Sequence, residues 1–382
     1  MKKILLLTEN FPPIDGGSGR WFWELYSRLP RQNIIVATHS VEGDQAFDKQ
    51  HDLNVKRMPM HSDEWGFNSK IGITFYFRMV KQVLKLVKRH KIDEIHCGRV
   101  IHEGVIARIV KLLTGVPFIC FVHGEDVETA ATSREQALLV KWACRGSKTL
   151  VCNSENSRNL VAALGFETKN KCEVLHPGVD TSKFIPALAD QAFRTQMDWD
   201  GKRVLLTVGR LQRRKGQDHL LAAMPELLKT YPDLFYAIVG RGECEAELRS
   251  FIDSSGLSSS AAVYTDLNDE ALIKSYQQCD IFILPNRTIE SDIEGFGMVL
   301  VEAQACGRPV IAGNSGGTAE TMIIGKTGEI IDCSSPQSIV KGMLPILQDS
   351  SFVHFGESAV EHVKTSFDWD AHVKKAKALF GL

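Results

Sequence analysis

Short apolar runs recur along the chain, separated mostly by amphipathic stretches of helix length. In the first half these runs are KILLLT, NIIVAT, DEIHC, PFICFVHG, TLVCNS and CEVLHPG. Each is bounded by turn residues and reads as a buried strand. Buried parallel strands that alternate with crossover helices predict a doubly wound α/β sheet. After the polar segment GVDTSKFIPALADQAFRTQMDWDGK the pattern restarts with RVLLTVGR, LFYAIVGRG, AAVYTDL, DIFILPN, RPVIAG and TGEIID. That restart predicts a second Rossmann-like domain beginning near residue 179. The last segment, FDWDAHVKKAKALFGL, predicts one more helix, started by Asp368 or Asp370. The chain has no solenoid-length repeat and no low-complexity tract.

Composition narrows the class. The 382 residues, 44% of them hydrophobic, suffice for a core in each of two domains. Lys and Arg total 45 against 46 Asp and Glu, so the net charge predicts no nucleic-acid partner, and any basic surface must be local. Nine cysteines occur without a Cys-x-x-Cys pair, which points to a reducing compartment, with the cytoplasm as the default. In MKKILLLTENFPP the apolar run covers only Ile4 to Leu7 and reads as a first strand, not a signal peptide. No stretch of apolar residues approaches the ~18 of a transmembrane helix.

In open parallel sheets, ligands bind beyond the carboxyl ends of the strands. Four glycine-rich loops fall there: ENFPPIDGGSGRW, VGRLQRRKGQD, VGRGECE and AGNSGGTAE. Two such sheets facing each other would enclose a cleft lined by these loops. The stretch IEGFGMVLVEAQACG places Glu294 in a glycine turn and Glu302 inside a helix expected over Gly297–Cys306, ended by Gly307-Arg308-Pro309. Gly295, Phe296 and Gly297 set backbone N–H groups at the helix start, where an anionic or hydroxyl-rich ligand is well received. A glycosidase pair is the obvious alternative for two carboxylates. Across that turn and helix they should lie ~10 Å or more apart, wider than usual for an acid/base pair. Glu302 could equally be a partly buried helical residue paired to a neighbour.

Gly209 permits a turn off its strand, and Arg210 and Lys215 offer a forked donor and a point charge to one anion such as a diphosphate. Arg213 and Arg214 read as solvated members of the same basic loop. Gly16 and Gly17, in GGSGR, could bring backbone N–H groups to a phosphate or simply form a turn. The stretch lacks the dinucleotide fingerprint, which counts against a Rossmann oxidoreductase. His123 ends a strand before Gly124, Glu125 and Asp126, where it could meet a sugar hydroxyl or serve structure alone. Asp198-Trp199-Asp200 and Asp368-Trp369-Asp370 spell Asp-x-Asp, but neither follows a strand. The first reads as linker surface and the second as helix-start chemistry, so no metal ligand is assigned.

Taken jointly, TENFPPIDGGSGR, HGED, HPGVD, VGRLQRRKGQD, the Glu-x7-Glu pair and EAQACGRPVIAGNSGGTAE resemble the retaining glycosyltransferases of family 4. That family has the GT-B fold, two facing Rossmann-like domains with a cleft between them. TENFPPIDGG and ESDIEGFGMVLVEAQACG look most like the phosphatidylinositol mannoside mannosyltransferases and their relatives. The resemblance implies that the C-terminal helix crosses back, giving a first domain of 1–178 plus 366–382 and a second of 179–365. It implies that Arg210 and Lys215 hold a donor diphosphate, that Glu302 binds ribose hydroxyls, and that Glu294 contacts the transferred sugar with help from Phe296 and Gly297. Gly16 and Gly17 would approach the phosphates, and His123 the sugar. Base selection would involve the backbone around Thr265 to Leu267.

The implied reaction transfers a hexose from a nucleotide-sugar, with GDP-mannose ahead of UDP-sugars, to a lipid-linked or glycan hydroxyl, with no cofactor and no metal. A sugar-nucleotide epimerase or hydrolase of the same fold and a silent nucleotide-sugar sensor are the rivals. One segment remains, GITFYFRMVKQVLKLVKRHK. At 100° per residue, Arg78, Lys81, Lys85, Lys88 and Arg89 fall on one face of a helix. Ile73, Tyr76, Val80, Val83, Leu84 and Val87 fall on the other, with Phe75, Met79 and Leu86 at the border. The basic face is either solvated or a peripheral contact to an anionic membrane, formed by the helix around residues 73–91.

Overall fold

The structure is a computed structural model that describes the chain except residues 1, 15, 52, 63, 65, 126, 129–132 and 166–170. The chain divides into two compact units, Met1–Pro177 with His372–Leu382, and Gly178–Ala371.

In the first unit, Ile4–Thr8 (β1), Ile34–His39 (β2), Val55–Met58 (β3), Glu94–Cys97 (β4), Phe118–Val122 (β5), Leu150–Cys152 (β6) and Cys172–Val174 (β7) form one parallel sheet. Their order is β3-β2-β1-β4-β5-β6-β7, so the sheet is wound outward from β1 in both directions. Alternate side chains of β1 go to opposite faces. Leu5 and Leu7 join a core with Phe75, Met79, Val83, Ile95, Phe118 and Cys120. On the opposite face Trp21 and Phe22, of the helix Gly17–Ser27, pack edge-on against Phe121 at 5.2 and 5.0 Å between ring centres. Coverage of both faces explains why these strands read as unbroken apolar runs. β3 escapes that rule. It is an edge strand carrying Lys56 and Arg57, and Arg57 grips Asp48 through two N–H bonds of 2.9 and 2.6 Å.

His372 fastens the C-terminal residues to this unit. Its Nδ1–H donates to the His176 carbonyl at 2.7 Å, and its Nε2 accepts from the Trp21 indole at 3.2 Å. Burial pulls its pKa down to about 3, so the ring is neutral, as that pairing requires. Residues just before it belong to the second unit, because Val179 N–H donates to the Phe367 carbonyl at 2.8 Å. The final helix runs Trp369–Phe380, and Asp368 Oδ1 accepts the Asp370 N–H at 2.8 Å at its start.

The helix Lys70–His90 is turned differently from its projected face. Phe75 and Met79, expected at the border, are buried, while Ile73, expected inside, is 49% exposed together with Ile71 and Phe77. The buried stripe is Gly72, Phe75, Tyr76, Met79, Val80, Val83 and Val87. It keeps three-to-four spacing, but its centre lies closer to Met79 than the plot placed it, which rolls Ile73 outward. Among the described residues no helix is long and apolar enough to cross a membrane.

In the second unit, Arg203–Val208 (β8), Leu234–Val239 (β9), Ala261–Tyr264 (β10), Ile281–Leu284 (β11), Val310–Gly313 (β12) and Gly328–Ile331 (β13) form a parallel sheet in the order β10-β9-β8-β11-β12-β13. This repeats the winding of the first sheet around β8. Trp199 of the linker is fully buried, with its ring 5.8 Å from Phe193 and its indole N–H donating to the Tyr264 hydroxyl.

Candidate active site

β8, β11 and β12 are neighbours in the sheet, so their loops emerge side by side at its carboxyl edge. Two glycines let these loops touch. A Cβ on Gly216, whose φ is 77°, would sit 1.8 Å from the Pro285 carbonyl oxygen, and one on Gly316, φ 64°, 1.8 Å from that of Glu294. Only glycine accepts both the positive φ and the contact. Hydrogen bonds then join the loops. Arg287 N–H donates to the Arg214 carbonyl and Gly317 N–H to the Glu294 carbonyl, at 2.8 and 2.9 Å. Asn286 accepts from Gly313 N–H and donates to the Ser315 carbonyl.

Glu294 lies at the centre of this edge and is 8% exposed. Its Oε2 accepts from Lys215 Nζ and, at 2.8 Å, from the Arg214 guanidinium, which also reaches Asp292 at 3.0 Å. Burial alone would raise the Glu294 pKa, but the charges and hydrogen bonds of Lys215 and Arg214 outweigh it and bring it down to about 2. The carboxylate is therefore ionised at any physiological pH. Beside it Arg287 holds Asp218 in a two-pronged pair, 2.8 Å on each arm. Burial would raise Asp218, and that pair keeps it below its usual value.

Glu302 sits within the helix Met298–Ala305, which starts after Gly297 at φ 95°. Its carboxylate is buried and accepts the Tyr276 hydroxyl at 2.7 Å. The Phe296 ring is buried against Phe367, so toward this loop Phe296 offers its main chain; Gly295 beside it is half-buried. Gly209 leaves β8 with φ 151° and its N–H on the Val239 carbonyl. Arg210 is exposed, and Leu267 packs on the edge of the core beyond β10. The structure thus brings Lys215 onto Glu294 and places Glu302 in the helix that follows.

One sequence expectation is corrected. Arg213 is exposed, as a solvated loop residue should be, but Arg214 is not. Its side chain is 12% exposed and bonded to the central carboxylate. Asp218, Asn286 and Arg287 also belong to this edge and were not singled out in the sequence. Only the proximity of Asp218 to the basic loop could have suggested it.

In the first unit, Gly16 precedes the helix Gly17–Ser27 and accepts the Arg20 N–H at 3.1 Å; both glycines are exposed. His123 is buried, its ring edge-on to Trp21 and Phe22 at 5.6 and 5.7 Å between centres. Its Nε2–H donates to the Gly98 carbonyl at 2.9 Å. Asp126 lies outside the described residues. Of the two Asp-x-Asp stretches, Asp200 accepts from Gln191, and Asp368 is taken up by Thr181 and Asp370.

Comparison with known proteins extends these observations. Residues 15–183 match the model of Glycosyltransferase Family 4, and residues 190–361 that of Glycosyl transferases group 1. A GDP-mannose-dependent monoacylated alpha-(1-6)-phosphatidylinositol monomannoside mannosyltransferase of Corynebacterium glutamicum is 28% identical, over 97% of this chain and 95% of its own. A GDP-mannose-dependent alpha-(1-6)-phosphatidylinositol monomannoside mannosyltransferase of Mycobacterium tuberculosis is also 28% identical, over 98% and 97%. The Anabaena protein HepE, crystallised with UDP, superposes with a TM-score of 0.83 over the full length of both chains at 20% identity, which speaks for the fold. With two parallel α/β units wound alike and two family models in tandem along it, the chain belongs to the family 4 glycosyltransferases and has the GT-B fold.

Proposed function

We propose that this glycosyltransferase moves mannose from GDP-mannose to a hydroxyl of a lipid-linked or glycan acceptor, with the anomeric configuration retained. The observation that carries the reading is the ionised Glu294 set between Lys215 and Arg214 where three loops meet. A carboxylate in that state accepts hydrogen bonds from sugar hydroxyls, and the adjoining ammonium can neutralise a departing diphosphate. In this reading Glu294 holds the sugar and Lys215 with Arg210 the diphosphate. Glu302 takes the ribose, and the main chain from Gly295 to Gly297 faces the anion. Gly209 frees the loop, and the backbone at Leu267 contributes to the base. For Gly16, Gly17 and His123 the assignment rests on the resemblance of their motifs.

The chemistry assigned is a front-side transfer, in which the leaving diphosphate oxygen takes the acceptor proton. The protein then positions reactants and stabilises developing charge. That scheme asks for no cofactor, and the donor is the only nucleotide in it. The two mannosyltransferase relatives support GDP-mannose as the donor and a phosphoinositide-type glycolipid as the acceptor class.

A membrane acceptor calls for a membrane contact, assigned here to the helix Lys70–His90. That helix contains no acidic residue and exposes Lys70, Arg78, Lys81, Lys85, Lys88 and Arg89. Ile71, Ile73 and Phe77 are exposed among them. Basic residues draw such a helix to anionic headgroups at ~1 kcal/mol each, and exposed apolar side chains enter the acyl boundary.

A thermal-shift panel of GDP-, UDP- and ADP-sugars tests the donor, since a ligand at 100 times its Kd stabilises by about 2.7 kcal/mol. GDP-mannose should give the largest shift. A larger shift with a UDP-sugar would replace the donor and leave the reaction class standing.

A further inference from the structure

Arg213 and Arg214 are adjacent and chemically identical, yet they do different things. Arg213 points to solvent and pairs with Glu247 at 2.9 Å. Arg214 points inward, with one arm of its fork on Glu294 at 2.8 Å and Nε on Asp292 at 3.0 Å. Its main chain is held as well, because its carbonyl accepts the Arg287 N–H. Lys215 meets the same Oε2 of Glu294. A single carboxylate oxygen thus has two cationic donors of unlike character. Lys215 is a compact ammonium on a flexible stem that can follow a new anion. Arg214 is a planar fork bridging two carboxylates, and its direction is fixed by both.

We propose that Arg214 is a positioning residue for Glu294, the counter-ion that stays in place, tethered by Asp292, when the donor diphosphate draws Lys215 away. This inference rests on the reading of the site as a nucleotide-sugar site. A diphosphate competes with Glu294 for Lys215. Without Arg214 a buried carboxylate would then be left with neither of its cations, and would swing or take up a proton. With Arg214 in place it stays ionised and keeps its aim at the sugar. A lysine at this position could not bond Asp292 and Glu294 in two fixed directions at once.

The test uses the full-length wild type, R214Q, R214K, D292N and K215A, with R213A as control. Steady-state transfer from GDP-mannose and calorimetric binding of GDP are measured on each. R214Q should lower kcat about 10- to 100-fold while changing the Kd for GDP less than about threefold, because it disturbs sugar alignment and not the diphosphate contact. K215A should weaken GDP about tenfold or more. R214K should recover only part of the lost kcat, D292N should show a smaller loss in the same direction, and R213A should match wild type.

The proposal is overturned by wild-type kcat in R214Q. It is overturned equally by a GDP affinity loss in R214Q as large as that of K215A, which would make Arg214 a diphosphate ligand. Should R214Q not fold, wild-type kcat in both R214K and D292N is enough to reject it. A wild-type protein inactive with every donor would count against the proposed function, whereas an active one with insensitive Arg214 and Asp292 variants counts only against this inference.

Discussion

Replacing Glu294 by glutamine separates what this carboxylate does for stability from what it does for turnover. The substitution leaves Lys215 and Arg214, both nearly buried, without their shared carboxylate. The Glu294 pKa stands at about 2 against an ordinary 4.5, a difference of about 2.5 units. At ~1.36 kcal/mol per unit this corresponds to about 3 kcal/mol favouring the ionised form in the folded protein. Because the folded value lies below the unfolded one, the contribution is present above the unfolded pKa and is lost as pH falls through about 2. E294Q should therefore unfold at lower urea concentration than wild type at pH 7, and the difference should shrink as pH falls below about 4.5. Turnover should fall about a hundredfold, the usual loss when a transition-state or orienting contact is removed. GDP affinity should not fall, since Lys215 no longer has a carboxylate competing for it. Urea melts at two pH values, transfer kinetics and GDP calorimetry on one preparation measure all three. A variant as stable as wild type at pH 7 that also turns over at the wild-type rate would refute the reasoning.

Three further outcomes are expected. Glu103 is buried beside β4 and accepts the Glu9 N–H at 2.9 Å; burial raises its pKa to about 7, against the loss it would show from that bond alone. As its folded pKa is the higher one, wild-type stability should drop between about pH 4.5 and 7, and E103Q should lose that part of the drop and melt higher at pH 8. In cosedimentation with anionic vesicles at low salt, I71S/I73S/F77S should bind severalfold less than wild type through lost apolar contact, and equal binding would remove the helix Lys70–His90 from the account. Activity should survive EDTA, and a complete loss restored by magnesium or manganese would assign a role to a metal.

The strands were legible because burial on both faces leaves an unbroken apolar run, and the motif loops because glycines mark where the chain must turn off a strand. β3 was not, since an edge strand with Lys56 and Arg57 has no such run. The helix over Met298–Ala305 matched its spacing and its glycine ends. The partnership of Lys215 with Glu294 spans 79 residues of chain and follows from the adjacency of β8 and β11, which no local pattern encodes. The same holds for Arg214. A short 3-10 turn over Arg213–Lys215, closed by Gly216 at positive φ, sends two consecutive arginines in opposite directions, and composition cannot tell them apart. Ile73 shows the limit of a helical projection, which assigns faces but not the side on which the sheet sits.

The central claim is acceptor-dependent mannosyl transfer, and the direct measurement is GDP release from GDP-mannose with and without a phosphoinositide-type glycolipid, with the lipid product identified by mass and by the anomeric signal of the added sugar. The account predicts GDP release that requires the acceptor and a product carrying one added mannose in the same anomeric configuration as in the donor. Release of GDP with free mannose as the only sugar product, or a product of inverted configuration, would contradict it.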